Sequence, residues 1–583
     1  MSTPKSLESH TSATHRFTDT ATHQVTNQPS PLENINLYSQ DKILKDMVQL
    51  GKAQWAEQDL HNFGALTGSK NVIEWGFQAN DNKPELRTHN RNGLRVDEVT
   101  FHPAYHQLMT QAISNGLHAS PWLTPQPGAH VHRAAKTFMQ TQIEAGHGCP
   151  ITMTFACLPT LLKQKNIADI WVPLVTSLTY SPENKPYYEK EGVTIGMGMT
   201  EKQGGSDVRA NTTTAQPLNA AGAGQIYEIT GHKWFLSAPM CDAFLVLAQT
   251  DKGLSCFLIP RWRPDGTKNP ILIQQLKNKM GNVSNASSEV EFRSAMGWLI
   301  GDEGRGIANI LEMVALTRFD CMIGSSAGMR QATVQAIHHC SQRKAFGDYL
   351  INQPLMQDVL ADLALESEAA TQLSFRMAMA LDRMSTCQEE STLLRLVTAI
   401  GKYWICKRTP AHAYEAMECI GGPGVMEDCI MPRLYREAPI NAIWEGSGNV
   451  QCLDVMRVIN KEPNALNVLK KQLTNALGFN QSYDQYVRNL IDTLETPNQE
   501  GIIDRFIVEQ LAKAIQASVL LENAKSLCQH QTQSSQEQAL SVTRLYCEAR
   551  LKEHSGDMFG AFNPVARSMR KEIQQTIERS SIL

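Results

Sequence analysis

A chain of 583 residues has room for three or four domains, each with a core of its own. Its hydrophobic content of 42% and charged content of 19% are ordinary for a globular protein, and a net charge of −4 argues against a general nucleic-acid binder. Thirteen cysteines without a C-x-x-C pair suit reduced thiols in a cytoplasm better than a disulfide framework, and no run of about eighteen apolar residues is present to span a membrane.

Residues 1–35 are rich in Thr, Ser, His, Gln and Asn and lack the apolar core of a signal peptide, so they read as a disordered tail ending near Pro29-Ser-Pro31. Residues 36–192 then read as a helical domain. Ser39 is the expected N-cap of a helix that carries Ile43, Met47, Leu50 and Trp55 on one face. Further helices are expected at 104–115 and 132–144, with breaks at Gly116, Pro121 and the Pro125-Gln-Pro-Gly128 turn. The apolar run Cys149-Pro-Ile-Thr-Met-Thr-Phe-Ala156 ends a helix or begins a buried one.

The period changes at Val193. Short β-branched or alternating runs at 193–199, 225–230, 243–249, 254–260, 271–276 and 289–293 predict an all-β domain over residues 193–300. After Gly301-Asp-Glu-Gly-Arg-Gly306 the helical period returns through a C-terminal helical domain at 301–460. It continues in an extra helical bundle at 461–583, with stripes at Leu466, Leu469, Leu473 and Leu477, then Ile502, Ile507, Leu511 and Ile515. Leu520, Leu521, Leu540, Leu545 and Leu551 extend the pattern. The fold class is α+β, in the unusual order helix, β-barrel, helix.

The stretch Leu434-Tyr-Arg-Glu-Ala-Pro-Ile-Asn-Ala-Ile-Trp-Glu-Gly-Ser-Gly-Asn449 carries the clearest chemistry. Glu445 follows Trp444, and a carboxylate set against an aromatic ring loses solvation, which suits it to general-base work near neutral pH. Gly446 and Gly448 let backbone approach a flat or phosphorylated ligand. A surface loop with an incidental glutamate is the competing reading of the residues alone. The stretch resembles the catalytic loop of the acyl-CoA dehydrogenase family, where the Glu of an aromatic-Glu-Gly-Thr/Ser sequence is the base.

Four more motifs follow that family's order. Gly196-Met-Gly-Met-Thr-Glu-Lys-Gln-Gly-Gly-Ser-Asp207 is similar to the flavin loop. The resemblance implies cofactor-binding roles for Met199, Thr200 and Ser206, with Thr200 at the isoalloxazine ring and Ser206 near the thioester's pyrophosphate. Gly231-His-Lys-Trp-Phe-Leu-Ser237, read as a second loop, resembles the segment whose aromatic ring shields the flavin. Phe235 takes that position and Ser237 that of the hydroxyl at N5, although the tryptophan stands one residue early, at Trp234. Ser341-Gln-Arg-Lys-Ala-Phe-Gly347 resembles the turn that reaches the flavin dinucleotide of a neighbouring subunit, which implies Arg343 and Phe346, with Gln353 toward adenine. Glu418-Cys-Ile-Gly-Gly-Pro-Gly424 resembles the pyrophosphate segment, which implies Gly421 and Gly422, while Ser447 and Asn449 match residues near the adenosine.

The wording of the motifs, including Leu-Thr-Arg-Phe-Asp-Cys at 316–321, resembles the AidB branch of the family. That implies FAD, a homotetramer, weak isovaleryl-CoA-like dehydrogenase activity, and binding of double-stranded DNA through the extra C-terminal domain in the bacterial response to alkylation. Isovaleryl enzymes place their base just before the arginine matched by Arg318. Here Thr317 stands there, which leaves Glu445 as the candidate base. From Leu540 onward seven Lys/Arg face five Asp/Glu, and Arg567, Arg570 and Lys571 form the candidate DNA contact. A solvated helical face is the alternative for that cluster. An ordinary cytoplasmic dehydrogenase using an electron-transfer flavoprotein, or a scaffold that merely retains flavin, are the other readings. His338-His339-Cys340 and His130-x-His132 lack further ligand spacing, so no metal is expected.

Overall fold

A computed structural model of the chain describes residues 22–495, 505–527, 533–552 and 555–582. Residues 1–21 of the expected tail and Ile502 of the expected stripe lie outside the described residues. The N-terminal part contains helices α1 (Lys42–Leu50), α2 (Glu57–Thr67), α3 (Lys70–Asp81), α4 (Pro103–Ser114), α5 (Ala129–Ile143), α6 (Gly148–Ala156) and α7 (Lys165–Val175). Asp41, not Ser39, caps α1: its side chain accepts from the Leu44 N–H at 3.0 Å. Trp55 lies beyond that helix in a short 3₁₀ turn, half exposed, with its indole N–H on the Pro127 carbonyl. Helix α5 starts earlier than its apolar pattern, because Gly128 at φ +84° turns the chain where a Cβ would sit 2.6 Å from the Lys52 carbonyl.

This part is not purely helical. Strands β1 (Glu85–His89) and β2 (Arg95–Thr100) form an antiparallel hairpin between α3 and α4. Its mostly polar strands set the Leu86–Val99 pair against the core, too little for an apolar alternation, and the Asn92-Gly93 turn is its sequence signal.

The central domain has seven strands: β3 (Ile195–Gly198), β4 (Thr214–Pro217), β5 (Ile226–Ser237), β6 (Ala243–Thr250), β7 (Gly253–Pro260), β8 (Ile271–Leu276) and β9 (Ser287–Ile300). They pair in the order β3-β6-β4-β5-β9-β7 with β8 beside β9, and pairing of β6 with β7 closes the barrel. Strand β4 has no counterpart in the expected runs, β5 is twice as long as expected and β9 nearly three times as long. Glycines account for the difference. Gly231 and Gly297 lie inside strands where neighbouring atoms leave no room for a side chain, a Cβ falling 2.6 Å from Thr213 Cα at Gly231 and 2.6 Å from Ile229 Cδ1 at Gly297. Residues 231–237 are therefore not a loop but the second half of β5.

Three long helices follow, α8 (Gly306–Gln342), α9 (Pro354–Arg383) and α10 (Gln388–Ile420), packed on one another, then α11 (Ile430–Glu437) and α12 (Gly448–Lys461). Beyond them lie α13 (Ala465–Thr474), α14 (Gln481–Glu495), α15 (Arg505–Leu527), α16 (Gln533–Arg550) and α17 (Arg570–Ser580). These last helices share one continuous apolar core with the rest of the chain. Buried Arg579 of α17 bonds Asp46 of α1 at 2.6 Å and Glu368 of α9 at 2.9 Å, so the C-terminal helix bolts the two earlier helical layers together. Among the described residues no helix is long and apolar enough to cross a membrane.

Residues 22–35 are irregular but held. Asn27 exchanges hydrogen bonds with the Lys344 backbone at 2.8 and 2.9 Å and accepts from Arg343 through its carbonyl. The Ser30 carbonyl accepts from His338 at 2.8 Å. This part of the expected tail is a strap over the Ser341–Gly347 turn.

Candidate active site

A cavity of about 970 Å³ opens where the N-terminal helices, the barrel and the C-terminal helices meet. Loop 438–447 forms one wall and delivers Glu445 between α11 and α12. Glu445 takes φ +56°, a left-handed conformation that is strained for a residue with a Cβ. The strain is held by donors on three successive carbonyls. Lys402 Nζ bonds the Trp444 and Gly446 carbonyls, each at 2.8 Å, and Arg318 Nε bonds that of Glu445 at 3.0 Å. Gln451 Nε2 adds bonds to the Glu445 and Gly446 carbonyls. Gly446 (φ +93°) has no room for a side chain, since a Cβ would lie 2.8 Å from Gln451 Nε2. The carboxylate itself accepts from Thr317 Oγ1 at 2.7 Å. Lys402, only 2% exposed on α10, is a contributor that no sequence pattern singles out.

The barrel supplies the facing wall. Met197, Met199, Thr200, Ser206, Phe235 and Ser237 all line the cavity. The register of β5 against β9 slips between Lys233 and Leu236, so Trp234 and Phe235 fall in an irregularity that re-aims side chains. Phe235 faces the cavity and Trp234 does not: its ring lies under Lys277 Nζ at 3.1 Å. Ser237 Oγ lies 3.0 Å from Ser287 Oγ.

Beneath this wall Lys233 Nζ and Glu201 Oε1 meet at 2.6 Å, both without solvent access. Burial alone would raise the Glu201 carboxyl, but Lys233, Thr213 and the Thr212 N–H outweigh it and hold it well below the usual carboxylate range. The Glu of one flavin motif and the Lys of the other are thus a tie that fixes the two segments in register.

A third group of residues was not read from the sequence. Glu144, Lys279, Arg433 and Glu437 line one end of the same cavity. Glu144 accepts from the Gly146 and His147 N–H groups (2.9 Å each), Ser284 Oγ (2.8 Å) and Asn80 Nδ2 (3.0 Å) and pairs with His147 Nδ1 (2.7 Å). Lys279 bonds the Asn285 carbonyl at 2.8 Å and Ser287 Oγ at 2.9 Å. Burial, and then neighbouring Glu144, push the Glu437 carboxyl up to about 7, while burial brings the Lys279 ammonium down to about 8. The only hint in the sequence is that the catalytic stretch opens on charged residues.

The expected residues divide in two. Glu445, Met199, Thr200, Ser206, Phe235, Ser237 and Ser447 share the cavity. Arg343, Phe346, Gln353, Gly421, Gly422 and Asn449 do not line it within one chain. Phe346 stands 98% exposed at the tip of a two-residue-stranded hairpin, and Gln353 ends the turn as the N-cap residue of α9. A Cβ at Gly421 or Gly422 would meet nothing within 4 Å, so bare backbone faces open space there. The donor set fits a flavin. Met199 and Phe235 offer apolar surface to a flat ring system, and Thr200 and Ser237 offer hydroxyls to its nitrogens and oxygens. Among the described residues no cluster of His, Cys, Asp and Glu is suited to a metal ion.

The chain matches the family description "Adaptive response protein AidB N-terminal domain" over residues 27–182. It matches "Acyl-CoA dehydrogenase, middle domain" over 196–295 and "Acyl-CoA dehydrogenase, C-terminal domain" over 304–460. AidB of Escherichia coli (strain K12) is 47% identical over 492 residues, covering 84% of this chain and 90% of that protein. Among solved structures, Caenorhabditis elegans ACDH-11 in complex with C11-CoA superposes with a TM-score of 0.82 at 26% identity, covering 96% of this chain and 98% of that one. An acyl-CoA dehydrogenase from Bacillus anthracis complexed with FAD shares the fold at a TM-score of 0.63 and 19% identity, covering 82% and 89% of the two chains.

Proposed function

The chain belongs to the AidB branch of the acyl-CoA dehydrogenase family, FAD-dependent oxidoreductases acting on CH–CH groups, and on that footing we propose that Glu445 is the base of a weak acyl-CoA dehydrogenation. The observation that carries this reading is the Glu445 carboxylate, held in the cavity wall by Thr317 opposite Phe235 and Ser237. Bound FAD supplies the hydride-accepting ring. Glu445 removes the α-proton of the thioester. Thr317 occupies Oε2 and leaves Oε1 for that proton, and the clamped carbonyls of residues 444–446 keep the carboxylate from swinging away. Met199, Thr200 and Ser237 orient the ring, Ser206 stands toward the thioester's pyrophosphate, and Phe235 shields the ring from water. A C11-CoA complex of a structural neighbour that covers nearly the whole chain supports a CoA thioester here and leaves the acyl group open. Anaerobic mixing with a panel of acyl-CoAs tests it: the flavin should bleach, and Glu445→Gln should slow bleaching by roughly 10²–10⁴-fold with FAD content unchanged. Equal rates would put the base elsewhere.

A second reading rests on the match to a domain of an adaptive response protein. In it the protein is a cytoplasmic homotetramer that binds double-stranded DNA and limits alkylation damage. The candidate cluster is already engaged: Arg567 and Arg570 both approach buried Asp358, and Lys571 bonds Glu537 at 3.0 Å. Arg567 and Lys571 nonetheless keep 59% and 66% of their side chains exposed, within reach of a phosphate. Duplex affinity measured across roughly 50–200 mM salt should fall steeply, and replacing Arg567, Arg570 and Lys571 with Ala should flatten that slope. A parent protein that binds no duplex would leave an ordinary dehydrogenase passing electrons to an electron-transfer flavoprotein.

A further inference from the structure

One end of the cavity is polar where a pocket for a plain alkyl chain would be apolar. The C-terminal turn of α5, the 279–285 segment and α11 bring Glu144, Lys279, Arg433 and Glu437 together there. Glu144 is committed to the partners described above, and Lys279 adds to its two a third bond, to Asn282 Oδ1 at 3.3 Å. The other two residues keep hydrogen-bonding capacity to spare. Arg433 is 6% exposed, its Nη2 bonds the Ile143 carbonyl at 2.8 Å, and its Nη1 has no partner. Among the described residues Glu437 accepts one hydrogen bond, from the Asn282 N–H to Oε1. Thr137 Oγ1, which also lines the cavity, is likewise buried without a partner.

An acyl chain ending in a methyl group would strip water from these groups and give nothing back, and a buried donor left unpaired costs more than a hydrogen bond returns. The charges are balanced, two carboxylates against Arg433 and Lys279, so a carboxylate tail meets Glu144 and Glu437 while an ammonium tail meets the two cations. A neutral group that both donates and accepts fits best. A hydroxyl also suits Glu437 in either protonation state, as acceptor from the acid or donor to the carboxylate.

We propose that Arg433 and Glu437 are specificity-determining residues, and that this protein takes acyl thioesters whose chain ends in a hydroxyl or carboxamide group. The inference rests on the acyl-CoA reading above and names the acyl group that reading leaves open.

The test uses FAD-loaded protein titrated anaerobically with n-alkyl, ω-hydroxy and ω-carboxy acyl-CoAs matched in chain length, with dissociation constants read from the flavin absorbance. At a chain length that reaches the cluster, the ω-hydroxy thioester should bind about tenfold or more tightly than its alkyl counterpart. The ω-carboxy thioester should gain nothing. Glu437→Leu should erase or invert the hydroxyl preference, and Glu437→Gln should retain part of it. Alkyl chains binding as tightly as hydroxylated ones at every length would overturn the inference, as would tightest binding by the carboxylate or an unchanged preference in Glu437→Leu. The parent series decides the matter even if a variant fails to fold. If no thioester perturbs the flavin, the acyl-CoA reading falls and this inference with it; tight alkyl binding without a polar preference sinks the inference alone.

Discussion

Thr317 Oγ1 reaches Glu445 Oε2 across 2.7 Å, so a hydroxyl on the central helix α8 fixes a carboxylate that arrives 128 residues later on a strained loop. The same hydroxyl lies 3.0 Å from the Val314 carbonyl, and its one proton serves one acceptor at a time. A carboxylate oxygen is a stronger acceptor than a peptide carbonyl.

Thr317→Val keeps the shape and removes that donor. The rate of flavin bleaching by a good acyl-CoA should fall about tenfold, less than for Glu445→Gln, since the base remains but is less well held. A variant that bleaches at the parental rate would mean the proton is spent on the Val314 carbonyl and the loop donors alone position the base.

Arg343 is pinned by the N-terminal strap, its guanidinium on the Asn27 carbonyl. Its remaining N–H groups match the bidentate geometry of a phosphate. Arg343→Ala should lower both FAD retention through gel filtration and the assembled fraction of the protein. Tight FAD binding in a strictly monomeric variant would count against a site completed by a neighbouring subunit.

Local pattern made the order of domains legible, because apolar period changes from 3.6 to 2 and back where helices give way to strands. It also brought seven expected residues to one cavity, since the motifs around Glu445, Thr200 and Phe235 are short and contiguous. What stayed hidden depends on contacts distant in sequence or on glycines with two meanings. Gly231 and Gly297 read as breaks but sit inside strands where side chains crowd them. The hairpin at 85–100 is mostly polar, and the Leu86–Val99 pair it sets against the core is too little to carry a period. Arg433 and Glu437 gain their character from α5 and the 279–285 segment, about 150 to 290 residues away along the chain. Arg579 looks like one more surface charge on a helix until Asp46, 533 residues earlier, meets it in the core.

Arg579 therefore yields a stability prediction. It is 1% exposed and neutralises Asp46 and Glu368, which are themselves buried. Arg579→Met fits the space but removes the cation that Glu368 and Asp46 share. Removing one partner of a buried ion pair costs about 3–5 kcal/mol, and the loss should appear in denaturant unfolding. A cost below about 1 kcal/mol would show that the C-terminal helix is held by its apolar face rather than by this triad.

The last prediction concerns pH. The Glu437 carboxyl has an ordinary value of 4.5 and is pushed up to about 7 in the folded protein, first by burial and then by Glu144. Between those two values the native state binds more protons than the unfolded chain, so this group's contribution to stability falls as pH rises. The contribution is fully present below 4.5, is lost as pH passes through 7, and stays flat above. Glu437→Gln is neutral at every pH and lacks that loss. Asp382, raised to about 6 by burial, titrates in the same window but is common to both proteins and cancels in the difference. Denaturant unfolding at intervals from pH 5 to 8.5 should show the variant gaining on the parent by roughly 1–3 kcal/mol as pH approaches 7, with little further change above it. A difference that is flat across that range, or that grows toward acid, would place the Glu437 carboxylate in a site that welcomes its charge, and the balance of charges assigned to that end of the cavity would have to be redrawn.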